Sequence, residues 1–236
     1  MSTPIDPEQF WEVYDAELPL LAARYGSNRA RMAVIGLGGS ELLVVSPGAI
    51  ADEQHWAQLA KYGKPALLLA PNHFHNSGLA VWAARFPQAK VVAAAGALPR
   101  LRKKLPALNI GDVAEVAEQL PSTIRLMQPP TAKQGELWLS IATSGGQAWF
   151  VTDGLINERR LPPGPLGVLI WLVGFRAGLM TNPLFKRLFL ADKQRYKAWV
   201  LEQLEADPPQ LFLPSHGQPL RGPDVASRLR QATESA

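Results

Sequence analysis

A chain of 236 residues can bury a sizeable core, as one large domain or two small ones. Apolar residues make up 47% and charged residues 19%, and the formal net charge of +4 is spread thinly apart from "RLRKK" (Arg100 to Lys104) and "ERR" (Glu158 to Arg160). That excludes a disordered chain and offers no long basic stripe with interleaved aromatics, so no nucleic acid is expected as partner. The absence of cysteine excludes disulfides, thiolate metal ligands and a cysteine nucleophile, and fits a reducing, cytoplasmic compartment.

The N-terminal "MSTPIDPEQFWEVYDAE" is acidic and lacks an apolar signal-peptide core. "DPEQFWEVYDAEL" reads as a capped helix, with Asp6 at the N-cap, Pro7 in the first helical position and Gln9 in the third. "RMAVIGL", "GGS" and "ELLVVSPG" read as a β-hairpin about a glycine turn. "DEQHWAQLAKYG" (Asp52 to Gly63) has helical spacing with Trp56, Leu59 and Tyr62 on one face, and His55 is a surface or packing residue of that helix. "PALLLAP" is wholly apolar, the pattern of a strand covered on both sides.

"SGLAVWAARFPQA" follows as a helix ending at Pro87, then "KVVAAAG" as a buried strand and "ALPRLRKKLP" as a surface helix or turn. "ELWLSIAT" and "QAWFVTDG" form a second hairpin around "SGG". Two helices are expected between Leu166 and Glu205, broken near "TNP" (Thr181 to Pro183). "PPQLFLPSHGQPL" is a last strand running into a histidine loop, and "DVASRLRQATESA" a short C-terminal helix. The reading is one α/β domain over residues 1–236, with sheet hairpins, covering helices and a helical segment at about 164–205.

Three apolar runs each end in a loop that carries a candidate metal ligand. "ALLLAPN" leads to His73 and His75, "AWFVT" to Asp153, and "LFLPS" to His216. Loops at the ends of buried strands gather chemistry because a rigid sheet positions them. Three imidazoles and a carboxylate suit zinc, with iron or manganese as alternatives, and a catalytic ion needs about three protein ligands plus a water. The bland reading is that no metal binds, the histidines being hydrogen-bonded loop residues and Asp153 a turn former.

In order and context, "NHFHNSGL", "TDG" and "SHGQPL" resemble the second, fourth and fifth motifs of the metallo-β-lactamase fold superfamily. A closer likeness is to a branch known as a domain of unknown function (DUF4336-like), through "RMAVIGL…ELLVVSP", "APN", "FPQAKV", "FRAGL…NPLF" and "SHG". The resemblance implies an αββα sandwich of two mixed β-sheets with outer helices, and hydrolysis by one or two metal ions. Laid on the superfamily pattern, Ser77 falls at the aspartate and Gly78 at the second-metal histidine. The third-motif histidine is missing from "LMQPPTAKQG". In that pattern His73 and His75 bind the first metal, Asp153 bridges, and His216 belongs to the second. At most one divalent ion is expected, held by His73, His75 and Asp153 with His216 as fourth ligand or as partner to bound water.

Three functions compete. The first is a metal-dependent hydrolase in which hydroxide on that ion attacks a small ester, lactone or related substrate, with Asp153 and His216 as catalytic residues. The second is a catalytically inactive relative that binds a small ligand or a partner. The third, least favoured, is docking on a membrane through "GPLGVLIWLVGF" (Gly164 to Phe175), a run too short to span a bilayer; ordinary core or a homodimer face is the preferred reading of that run. A serine hydrolase lacks its Gly-x-Ser-x-Gly, "TSGGQ" being a hairpin turn.

Overall fold

The computed structural model describes residues 10–27 and 30–235. It divides into two compact units, Met1–Pro121 and Ser122–Ala236.

The first unit is built on a seven-stranded sheet whose spatial order follows the chain. Strands β1 (Glu12–Asp15), β2 (Leu20–Tyr25), β3 (Ala30–Gly38) and β4 (Glu41–Val45) form an antiparallel meander. From β4 onward the pairing is parallel, through β5 (Lys64–Ala70), β6 (Lys90–Ala93) and β7 (Ile110–Asp112). Parallel neighbours need crossovers, and helices α1 (Glu53–Ala60), α2 (Leu79–Arg85) and α3 (Leu98–Lys104) supply them. β5 is paired on both edges, by β4 and β6, and its apolar run is mostly buried. Asp52 caps α1 by accepting from the Gln54 N–H, and Trp56 and Leu59 are its buried face. His55 packs as expected, its ring stacked on Phe10 at 4.0 Å. The "RLRKK" cations are exposed and Leu101 between them is buried.

The second unit holds a five-stranded sheet in the order β14-β13-β10-β9-β8. Its strands are β8 (Ile124–Met127), β9 (Trp138–Thr143), β10 (Gly146–Val151), β13 (Leu211–Pro214) and β14 (Leu220–Arg221). Only β10 and β13 run parallel. A separate antiparallel pair joins β11 (Leu155–Glu158) to β12 (Gly178–Thr181). Helices α4 (Pro165–Leu172), α5 (Lys193–Ala206) and α6 (Val225–Glu234) complete it, and its core centres on Trp138, Trp149, Phe185, Tyr196 and Phe212.

The expectation of an α/β fold with two mixed sheets and helices holds. Among the described residues, no helix is long and apolar enough to cross a membrane. Two local readings are corrected. Asp6, Pro7 and Gln9 lie outside the described residues, but the rest of the N-terminal helix is strand β1 and a turn. Pairing with β2 overrides helical propensity there, and Trp11 anchors the strand by donating its indole N–H to the His55 carbonyl. Between Leu166 and Glu205, the two expected helices are separated by strand β12 and a turn of π-helix, Phe185–Phe189. The chain leaves helical geometry at Gly174 and Gly178, both at positive φ (100° and 99°), which glycine alone adopts at little cost.

Candidate functional site

In the first unit, β4 and β5 run parallel and end side by side. The chain leaves β4 through Ser46, a fully buried residue at φ 58°, left-handed backbone that a non-glycine residue rarely adopts. It leaves β5 into the histidine loop. Buried Asn72 shapes that loop: its Oδ1 accepts from the N–H groups of Phe74 (2.8 Å) and His75 (3.0 Å). Asn76 closes it, donating to the His73 carbonyl and accepting from the Lys104 ammonium at 2.8 Å. Both asparagine side chains therefore hold backbone and neighbours in place.

The loop sends its two histidines to different surroundings. His75 is buried, 4% exposed, with Nδ1 2.8 Å from the Ser46 hydroxyl and 3.3 Å from the Tyr25 hydroxyl; those two hydroxyls are 2.8 Å apart. When Nδ1–H donates to Ser46, Nε2 presents its lone pair, the tautomer a metal ligand needs. His73 turns its Nε2 to the Arg100 guanidinium at 3.3 Å, and Arg100 also lies over the Phe74 ring. A guanidinium donates and cannot accept, so it takes up the lone pair that a metal would use.

Gly78, the position at which the sequence reading finds a metal-binding histidine missing, sits against the β4 exit loop. Its N–H donates to the Pro47 carbonyl, and a Cβ there would lie 2.3 Å from the Gly48 carbonyl carbon. Backbone occupies the space a side chain would need.

In the second unit, β10 and β13 are parallel neighbours, with Val151 opposite Pro214. Asp153 and His216 therefore leave the same end of the sheet together, and Asp153 Oδ1 is 3.2 Å from His216 Nε2. Their side chains are 14% and 22% exposed. The carbonyl of His216 accepts from the Asn157 N–H, and Asn157 also accepts from and donates to the Gln218 backbone, which clamps the loop to β11.

Glu136 is the residue the sequence reading missed here. It is fully buried, and its Oε1 accepts from the N–H groups of Asp153 (2.8 Å) and Gly154 (3.0 Å) and from the Trp138 indole (2.8 Å). Burial first, and then the Glu136 charge, push the nearby Tyr196 hydroxyl well above its usual pKa, so it stays protonated. Ser46 and Tyr25 were missed likewise. The signal available was a lone acidic residue heading the apolar "LWLSI" run and a serine ending "LLVV".

No protein-family model matches the chain, and no curated protein sequence does. Solved structures do. The mono-zinc form of the metallo-β-lactamase FIM-1 from Pseudomonas aeruginosa superposes over 99% of this chain and 98% of its own, at a TM-score of 0.59 and 13% identity. The fold is the metallo-β-lactamase fold. A metallo-β-lactamase from Erythrobacter litoralis agrees, with 96% and 92% covered, TM-score 0.58 and 15% identity. So does a flavo di-iron protein variant from Thermotoga maritima, of which 62% is covered by 98% of this chain, at a TM-score of 0.59 and 12% identity.

Proposed function

We propose that the chain is a metal-dependent hydrolase with at most a single-ion site, for which the sequence supplies His73, His75, Asp153 and His216 as candidate ligands. What carries the reading is the donor set. Two imidazoles and a carboxylate suit zinc, iron or manganese, and His75 has one ring nitrogen already engaged by Ser46. The Asp153–His216 pair supports it, its side chains meeting at 3.2 Å and partly exposed, with the Asp153 N–H held by buried Glu136. Of the four ligands expected from sequence, His73 fits least, because its Nε2 faces Arg100. A second ion has no ligands to replace Ser77 and Gly78, and Gly78 has no room for one.

When bound, the ion would supply Lewis-acid polarisation of a carbonyl and a water of lowered pKa. The chain's own residues orient it: Ser46 and Tyr25 fix the His75 ring, and Glu136 fixes the Asp153 turn. The proposed substrate is a small ester, lactone or related acyl compound, in a cytoplasmic setting. Membership of the unknown-function branch belongs to the same proposal, carried by its motifs alone. The second reading, an inactive ligand-binding relative, is favoured by the His73–Arg100 contact, which withdraws one expected ligand.

Elemental analysis of protein purified without a polyhistidine tag tests the two. About one ion per chain, lost in His75→Ala and in Asp153→Ala but kept in His73→Ala, supports the hydrolase and justifies screening esters and lactones. Absence of bound metal after dialysis against zinc, iron and manganese overturns it in favour of the binding module.

A further inference from the structure

Helix α4 breaks the usual rule for apolar helices. "PLGVLIWL" carries no polar side chain, and such a helix is ordinarily core. Here only Gly167 is buried, while Leu166, Val168, Leu169, Trp171 and Leu172 stand open, Trp171 at 49% and Leu172 at 65%. Leu184 and Leu188 are exposed further along the same segment. The expectation that this run is core is thus corrected, and an apolar surface of this kind marks an interaction site.

The charges of the segment have one sign. From Arg159 to Ala191 the charged residues are Arg159, Arg160, Arg176, Lys186 and Arg187, with no Asp or Glu among them. Arg176 and Arg187 are built into the end of α4. Arg176 donates to the carbonyls of Trp171 and Phe175 and lies 4.5 Å over the Trp171 ring, and Arg187 donates to the Val173 carbonyl. They satisfy acceptors that a helix C-terminus leaves open. Both also line a cavity of about 540 Å³, together with Lys186, Arg228 and Thr181. Arg228 has Asp224 at 3.7 Å as partner; the buried Thr181 hydroxyl has no hydrogen-bond partner among the described residues.

We propose that residues 159–191 dock this protein on an anionic lipid bilayer, with α4 lying in the interface and the cationic cavity receiving lipid phosphate. The inference stands apart from the metal site. An apolar helix edged only by cations is the pattern of a surface-lying anchor, and a tryptophan at its end suits the headgroup level. Cations gain from the negative potential of anionic lipid. The same charge argues against a second copy, because a two-fold interface on this face would set Arg176 and Arg187 against their own images.

Co-sedimentation of the full chain with vesicles tests it, comparing phosphatidylcholine alone with phosphatidylcholine containing phosphatidylglycerol. Binding is expected only, or far more strongly, on the anionic vesicles, and should fall with added salt. Leu169→Ser with Trp171→Ser should weaken it about tenfold or more. Arg160→Gln with Lys186→Gln, which removes two charges and keeps most of each side chain, should weaken it severalfold and flatten the salt dependence. Unchanged thermal unfolding of these variants confirms that only the surface was altered. Absence of binding to anionic vesicles overturns the proposal, as does equal binding by the Leu169→Ser, Trp171→Ser variant. So would a dimer in sedimentation velocity that this variant dissociates, capture of an acidic protein without vesicle binding, or inorganic phosphate binding in the cavity without vesicle binding.

Discussion

Two pairs of parallel strands in this molecule each end in a close pair of polar side chains, and the two pairs differ in kind. Where β4 and β5 end, Ser46 meets His75 at 2.8 Å in a buried contact. Where β10 and β13 end, Asp153 meets His216 at 3.2 Å, partly open to solvent. A buried pair fixes the orientation of a ring, whereas a partly exposed pair can meet solvent and ligand. Each loop is anchored by a buried polar group, Asn72 in one and Glu136 in the other. Geometry that a metal or a substrate would need is thus held by residues that need not touch either.

The sharpest way to break the first pair is to crowd it. Gly78→His, which would supply the histidine that the sequence reading finds missing there, drives a side chain into the Gly48 backbone. It should destabilise by about 4 kcal/mol or more without raising metal content, read by urea unfolding and elemental analysis. For the second pair the corresponding change is Glu136→Ala. Three buried donors lose their acceptor, and a loss of about 3 kcal/mol is expected, with reduced metal retention in the folded fraction.

Ser46→Ala separates orientation from ligation. It should lower metal affinity by about 10- to 100-fold while costing about 1 kcal/mol of stability, Tyr25 remaining within reach of the His75 ring, read by competition with a chelator and by urea unfolding. An equal effect from His73→Ala would blur the distinction drawn between the two histidines.

The smallest effect concerns acid. Burial alone would raise the Asp207 carboxyl. Hydrogen bonds from Ser140, Arg125 and Gln147, with the Arg125 charge, outweigh it and hold the group below its usual range. A carboxyl depressed on folding stabilises above its unfolded pKa of about 4, and that contribution is lost as pH falls through the folded value. Asp207→Asn should therefore flatten the acid limb of stability below about pH 4 and leave metal binding at neutral pH unchanged. Loss of metal in this variant would mean that the open pair is less independent of its sheet than its contacts indicate.

The sequence by itself determined the strands and the loops that follow them. "ALLLA", "AWFV" and "LFLP" are short apolar runs bounded by Pro, Thr or Ser, the pattern of a covered strand, and each is a strand running into the loop expected. It did not reveal what holds those loops. Ser46 lies 29 residues and Tyr25 50 residues from His75, and Glu136 lies 17 residues before Asp153. Hydrogen bonds across such separations leave no trace in local pattern.

At the N-terminus, pairing with β2 decided between a helix and a strand of similar composition. At α4 the pattern was legible and its surroundings were not. An unbroken apolar run states that a helix would gain from being covered, and only the tertiary structure shows that the chain leaves it open. Periodicity records what a segment can bury. Whether anything is there to bury it against depends on the rest of the fold.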